Sequence, residues 1–301
     1  MEYRLLPIFT LLSLALVATH AALPPEVYWK SVLPTTPMPK AIAHTLYPGE
    51  KVSVSRRHKE NPIQPSDHTN YKHGAAESEL RDEAPKNEAL FFLEKDLRPG
   101  TKLDLHFTRS SNEATFLPRQ VADSIPFSSN KLDHVFTKFS IKPGSEESRM
   151  VMSTINECEE AGIKGEEKYC ATSLESMIDF ITSKIGKSVE ALSTEVEKET
   201  GLQKHSVTPG VKKFAGDKAV VCHKQNYPYA VFYCHKIGTA RAYSVPLVAA
   251  NGVRVKAVAV CHTDTSQWNP KHLAFYVLKV KPGTVPICHF LREDNVVWVN
   301  N

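Results

Sequence analysis

The sequence predicts an α+β fold: a disulfide-bonded, largely antiparallel β domain with one or two helices packed on it. Three observations predict it. A capped, amphipathic helix over residues 172–185 stands ahead of a strand-rich C-terminal part. Within that part Asn251-Gly252 joins two apolar, β-branched runs, the strongest short hairpin signal. Six cysteines follow an N-terminus with the form of an export signal, and exported chains use such even sets for bridges.

Residues 1–21 read as a signal peptide. Arg4 precedes an apolar run at 5–18 (LLPIFTLLSLALVA), and Thr19 and Ala21 are the small residues of a cleavage site. The run is shorter than the roughly 20 apolar residues of a membrane span, and no basic cluster follows it. The mature chain is therefore expected to be exported and to carry no membrane span. The full sequence is 42% apolar, which suffices for a core, and its net charge is +4 without any Lys/Arg block. That excludes a nucleic-acid footprint and allows a loose attraction to acidic polysaccharide. No Asn-x-Ser/Thr acceptor is present.

Residues 22–88 read as a Pro-rich, poorly ordered leader, since polar stretches such as SRRHKENPIQPSDHTNYKHG bury too little to offset ordering entropy. One apolar island, Val27-Tyr28-Trp29 with Val32-Leu33, is suited to dock on the main domain. That domain spans 89–301 and opens on Phe91-Phe92. Arg98-Pro99-Gly100 signals a turn, and Leu103, Leu105 and Phe107 alternate as on a strand. A short helix is expected near 119–124. In the helix at 172–185, Thr172 and Glu175 have capping-box spacing, Leu174, Met177, Ile178, Ile181 and Ile185 form the buried stripe, and Gly186 sits at the C-terminal cap. Residues 188–201, rich in Glu and Lys, read as a second helix. Strands are expected at 219–221, 230–233, 243–250, 253–260 and 275–280. Pro246 marks an edge strand or a bulge, and Lys281-Pro282-Gly283 a turn.

Four dipeptides recur: Cys222-His223, Cys234-His235, Cys261-His262 and Cys288-His289. Ten, twenty-five and twenty-five residues separate them, and eight more lead to Trp298. Each closes an apolar run. On a strand, neighbouring residues point to opposite faces, so cysteines share one face and histidines the other. Bridging in an oxidising compartment consumes the thiols, which leaves the imidazoles for a site. Imidazoles without thiolate suit copper or zinc, copper more tightly. Strand histidines are also common as ordinary core residues; four in one register set this array apart. Cys158 and Cys170 bracket a polar loop before the capped helix and are expected to bridge locally. Pairing among Cys222, Cys234, Cys261 and Cys288 does not follow from spacing. Asp264 and Trp268 lie close after His262 as candidates to line the site. No nucleophile–base–acid set for hydrolysis stands out.

The array with Trp298, and Phe91-Phe92 before Gly100, resembles the plant BURP-domain family over residues 89–300. The signal peptide followed by Tyr28-Trp29 and the segment from Leu33-Pro34 to Pro39 is similar to its dehydration-responsive and unknown-seed-protein branches. The short Thr-Val-type repeats typical of the former are missing. The resemblance implies structural roles for Phe91, Phe92 and Trp298. It also implies one of two activities. Some members are copper-dependent peptide cyclases that crosslink a Tyr or Trp of a core peptide in their own chain, and there His223, His235, His262 and His289 would ligate copper. Others are cell-wall, storage or stress proteins without a demonstrated reaction. Residues 93–168 contain no Tyr or Trp, and the leader offers Tyr71 as the candidate crosslink substrate. The expectation is therefore a non-catalytic protein of the apoplast or cell wall, or of the vacuole through the secretory route, in stress or seed development. Its partner would be a wall polysaccharide or wall protein. The autocatalytic cyclase is the alternative. A wall-enzyme modulator ranks last, because the long repetitive leader of that branch is missing.

Overall fold

The computed structural model of the chain describes residues 24–47, 91–107, 112–162, 165–199, 201–214 and 219–301. The signal peptide expected at 1–21 and Tyr71 lie outside the described residues.

The elements run α1 (Pro25–Val32), α2 (Lys40–Leu46), β1 (Phe92–Leu93), β2 (Lys102–Leu105), α3 (Arg119–Asp123), α4 (Leu132–Phe139), α5 (Glu146–Glu159) and β3 (Glu166–Ala171). Next come α6 (Leu174–Ile185), β4 (Val189–Leu192), β5 (Glu195–Val196), β6 (Gln203–Val207), β7 (Lys212–Lys213), β8 (Ala219–Lys224), β9 (Phe232–Ile237) and β10 (Ala240–Ala249). The chain ends in β11 (Arg254–His262), α7 (Leu273–Leu278), β12 (Ile287–Phe290) and β13 (Val296–Asn300). One sheet runs β1-β12-β11-β10-β6-β2, with β5 on β11 and β7 on β10; the other runs β3-β9-β8-β13-β4. All the pairings are antiparallel. The architecture is the expected disulfide-bonded α+β one.

Alternation along the strands organises three layers of core. Ala219 and Val221 of β8, Val297 and Val299 of β13, Ala242 of β10, and Val258 and Val260 of β11 pack together, so the two sheets meet face to face. On the outer face of the smaller sheet, Val220, Phe232, Val296 and Trp298 pack against the stripe of α6. On the other face of the larger sheet, Val245, Ala257 and Ala259 pack with Phe92, Leu105, Phe107 and Phe290.

The helix at 172–185 is present with a different cap. Ser173 is the N-cap, and its hydroxyl accepts from Ser176 N while Ser176 Oγ accepts from Ser173 N, both at 3.1 Å. Glu175 is instead buried in the first turn. Gly186 ends the helix at φ +82°, as its lack of Cβ permits. The helix expected over 188–201 is replaced by β4 and β5. Residues 189–192 pair with 297–300 of β13, and that register overrides the helical propensity of the Glu/Lys-rich run. Conversely, residues 275–278 of the strand expected at 275–280 belong to α7, and Lys279 caps it in the left-handed region. His272 Nδ1 accepts from Ala274 N at 3.2 Å and starts it; short apolar runs do not reveal their period. Pro246 lies on neither an edge nor a bulge. It pairs with Lys256 and falls in the gap between β7, which pairs residues 243–244 of β10, and β6, which pairs 247–249. In that gap the missing N–H interrupts no ladder.

Part of the stretch expected to be a poorly ordered leader is built into the core. Trp29, Leu33, Ala41 and Ile42 are buried with α6 and Trp298, and Trp29 lies 5.4 Å from Trp298, centroid to centroid. Trp29 Nε1 donates to Thr36 O at 3.0 Å, and Thr36 Oγ1 to Val189 O at 2.7 Å. The Pro-rich composition masked an apolar face that spans two short helices. Residues 48–88 lie outside the described residues.

Candidate functional site: two histidine pairs between the sheets

All six cysteines are bridged: Cys158–Cys170, Cys222–Cys234 and Cys261–Cys288. The first joins the end of α5 to β3, ahead of α6, as a local bridge. The other two link cross-strand partners. Cys222 faces Cys234 on β8 and β9, and Cys261 faces Cys288 on β11 and β12.

That register decides where the histidines go. Each histidine follows its cysteine by one residue, so it lies on the opposite sheet face. The strands are antiparallel, so the two histidines of a pair are diagonal neighbours: His223 faces Tyr233 while His235 faces Val221. His262 faces Ile287 while His289 faces Val260. Diagonal neighbours are within reach of long side chains, and the rings meet. His223 Nε2 and His235 Nε2 are 3.2 Å apart; His262 Nε2 and His289 Nε2 are 3.3 Å apart. His223 shares its face with Ala219 and Val221, and His262 shares its face with Val258 and Val260, which pack on each other. Both pairs therefore occupy the interlayer. All four histidines are buried.

Hydrogen bonding assigns the protons. Asn295 Oδ1 accepts from Lys224 N at 3.2 Å, which turns Nδ2 toward His223 Nδ1 at 3.1 Å. His223 Nδ1 is thus an acceptor, and its proton sits on Nε2. His235 Nδ1 meets Glu166 Oε1 at 2.8 Å and donates to it, since a carboxylate only accepts. The first pair is thus one Nε2–H···Nε2 bond from His223 to His235. In the second pair His289 Nδ1 lies 3.4 Å from Phe290 O, which places the bare Nε2 on His289 and the shared proton on His262. Burial holds His289 well below the ordinary imidazole value. The Phe290 carbonyl offsets part of that, and the charges of His235 and His272 add to it.

Nitrogens 3.2–3.3 Å apart both reach one ion at a metal–nitrogen distance of about 2.0–2.1 Å. The donor set is imidazole alone, which fits copper. His223 with His235, or His262 with His289, would hold such an ion once the shared proton had left. Among the described residues no group of three or more His, Cys, Asp and Glu is arranged to hold a metal ion.

Of the other expected residues, Trp268 is buried against His262, with centroids 5.0 Å apart. Asp264 is exposed and accepts from Ser266 N at 2.9 Å in its own turn. Phe91 and Phe92 diverge as strand neighbours do. Phe91 packs with Trp268 and Phe275, and Phe92 lies 4.6 Å from Phe290. Trp298 is fully buried. Sequence reading missed Glu166, Tyr233 and Asn295. Glu166 precedes His223 by 57 positions in a stretch that reads as a polar loop, and only the β3–β9 pairing brings it to His235. Tyr233 lies 5.4 Å from the His235 ring, centroid to centroid. Asn295 had a local signal, a polar residue before the last apolar run. A cleft of about 490 Å³, lined by Thr35, Met38, Lys40, Glu190 and Lys256 among others, lies apart from all four histidines.

The BURP domain model matches residues 90–300. BURP domain protein RD22 of Arabidopsis thaliana is 51% identical over 85% of this chain and 64% of its own length. BURP domain-containing protein 3 of Oryza sativa subsp. japonica is 50% identical over 77% of this chain and 54% of its own length. This chain thus spans less than two thirds of either. BURP domain protein USPL1 of Arabidopsis thaliana is 39% identical over 70% of this chain and 79% of its own length.

Proposed function

Because the chain belongs to the plant BURP-domain family, we propose that it is a secreted, non-catalytic protein of the branch holding RD22 and USPL1, acting in the cell wall or storage compartments during stress or seed development. The observation that carries this reading is the closed interlayer. Every cysteine is spent on a bridge, and every histidine of the array is buried between two sheets, away from the described cleft. Three bridges fit an oxidising compartment. Among the described residues no helix is long and apolar enough to cross a membrane. A chain of net charge +4 adds loose ionic attraction to wall polyanions.

Expression of the tagged full chain in leaf cells tests the reading. The expected result is a chain cleaved after Ala21, with its cysteines oxidised, in the apoplastic wash or released from wall material by salt. An uncleaved chain with free thiols in the cytosol overturns it.

A second reading, the copper-dependent peptide cyclase, is favoured by one observation: each histidine pair has an oxidisable aromatic beside it, Tyr233 at His235 and Trp268 at His262. Copper, when bound, would supply one-electron oxidation. The chain would hold it through His223 and His235 or through His262 and His289, and the packed sheets would exclude water. Glu166 holds the proton of the Tyr233 hydroxyl in place at 3.4 Å. Burial, and next the charge of Glu166, raises the pKa of that phenol, so it stays neutral at ordinary pH.

A further inference from the structure

β4 closes the smaller sheet, with β13 on one side and no strand of the described residues on the other. The register settles which backbone groups that leaves open. Asn301 N donates to Ser188 O at 3.1 Å, so residues 188, 190 and 192 turn their N–H and C=O toward β13. In an antiparallel pair such residues alternate with ones whose groups point away, here Val189 and Ala191. Val189 O is taken by the Thr36 hydroxyl at 2.7 Å. Ala191 N–H and C=O have no partner among the described residues. Ala191 lines the cleft of about 490 Å³ at this edge, a size within the roughly 300–1,000 Å³ of ligand pockets. The segment between α1 and α2 forms one wall, where Pro37 and Pro39 carry no N–H and nothing pairs with Ala191. That segment is fastened at both ends of the opening, by Thr36 to Val189 and by Ala41 N to Ser193 Oγ at 3.5 Å. The opening therefore admits one chain and not the edge of another sheet. Ser244 and Lys256 of the larger sheet form the facing wall, and their side chains have no partner among the described residues.

We propose that this cleft is a peptide-binding site: one residue of a short extended peptide exchanges both backbone hydrogen bonds with Ala191, and an acidic side chain next to it meets Lys256. A peptide supplies a donor and an acceptor at the strand repeat, which is how an open sheet edge takes up a partner. The neighbours of the residue opposite Ala191 point to the other face of the sheet. That is the face on which Leu192 packs with Val258 of the larger sheet. Lys40 is already paired with Glu195 at 2.8 Å, so Lys256 is the cation of the cleft left for such a neighbour. Glu190, also in the cleft, disfavours a second acidic residue.

The test titrates the purified full chain with the peptide acetyl-Glu-Val-Ala-amide and follows the Ala191 amide by nuclear magnetic resonance. Three further probes are the same peptide N-methylated at Val, the peptide with Lys in place of Glu, and an oligouronate. Two variants accompany them. Ala191→Pro removes the N–H that points away from β13, where an edge strand tolerates proline, and Lys256→Ala removes the cation. The parent peptide is expected to shift the Ala191 amide saturably and to slow its exchange with solvent. N-methylation and Ala191→Pro are each expected to weaken binding about 10-fold, the worth of one backbone bond. Lys256→Ala is expected to abolish the preference for Glu over Lys. The N-methylated probe needs no variant, so it decides the matter should Ala191→Pro fail to fold. Equal binding of the parent and N-methylated peptides, or no shift of the Ala191 amide with the parent, overturns the proposal. A shift of that amide by the oligouronate and not by the peptide overturns it in favour of a sugar site.

Discussion

Ser173 and not Thr172 caps α6, through a reciprocal pair of hydroxyl bonds with Ser176. Ser173→Ala is therefore expected to lower stability by about 1 kcal/mol, and Thr172→Ala to stay within about 0.5 kcal/mol, both read by urea unfolding. Capping-box spacing pointed to Thr172 and passed over Ser173, because only the backbone angles say which residue is the half-turn before the helix. His205 shows what an ordinary core histidine looks like beside the array. It is buried on β6, its Nδ1 lies 3.0 Å from Gln203 O, and its ring meets Phe107 edge-on. Burial lowers its pKa, and the Gln203 carbonyl offsets part of that. A lowered folded-state value means that the unfolded chain takes the proton first. The contribution of His205 is then complete above the ordinary value of about 6.5 and is lost as pH falls below it. His205→Gln is expected to flatten the fall of urea midpoint over that acidic range; an unchanged profile would contradict it. The dipeptide array was legible because cysteine and histidine alternate on a strand. The pairing was not legible, because it follows from which strands neighbour each other.

At the scale of elements, legibility tracked local strength. The stripe of α6 and the Asn251-Gly252 hairpin announce themselves, since each satisfies its own periodicity and turn chemistry. Residues 189–192 and 273–278 do not. The first run takes its form from β13 and the second from the His272 cap. α5 had a readable start, since Ser145 Oγ accepts from Ser148 N at 3.1 Å with Glu146 and Glu147 in the first turn. α1 and α2 concern the folding unit itself. Trp29 is 3% exposed and Ile42 fully buried, so the domain core includes residues upstream of the 90–300 match. Trp29→Ala is expected to cost about 3–5 kcal/mol, measured by chemical unfolding of the full chain. A cost below about 1 kcal/mol, the range of ordinary surface changes, would mean that the two helices merely rest on the domain.

For the molecule as a whole, two sheets packed face to face bury both histidine pairs, and the N-terminal segment docks on the outer face of the smaller sheet. The bridges carry cysteine to one face of each sheet and histidine to the other, so a single dipeptide motif both stabilises the sandwich and furnishes it with imidazoles. The most direct measurement is the intact mass of the purified full chain after full reduction, with and without prior exposure to copper and oxygen. Reduction restores the hydrogens lost to the disulfides, so any remaining deficit reports a crosslinked side chain. The expected result is the same mass with and without copper. A copper-dependent loss of hydrogen mass, mapped to Tyr71, Tyr233, Trp268 or another aromatic, would contradict the non-catalytic reading and make the chain an enzyme.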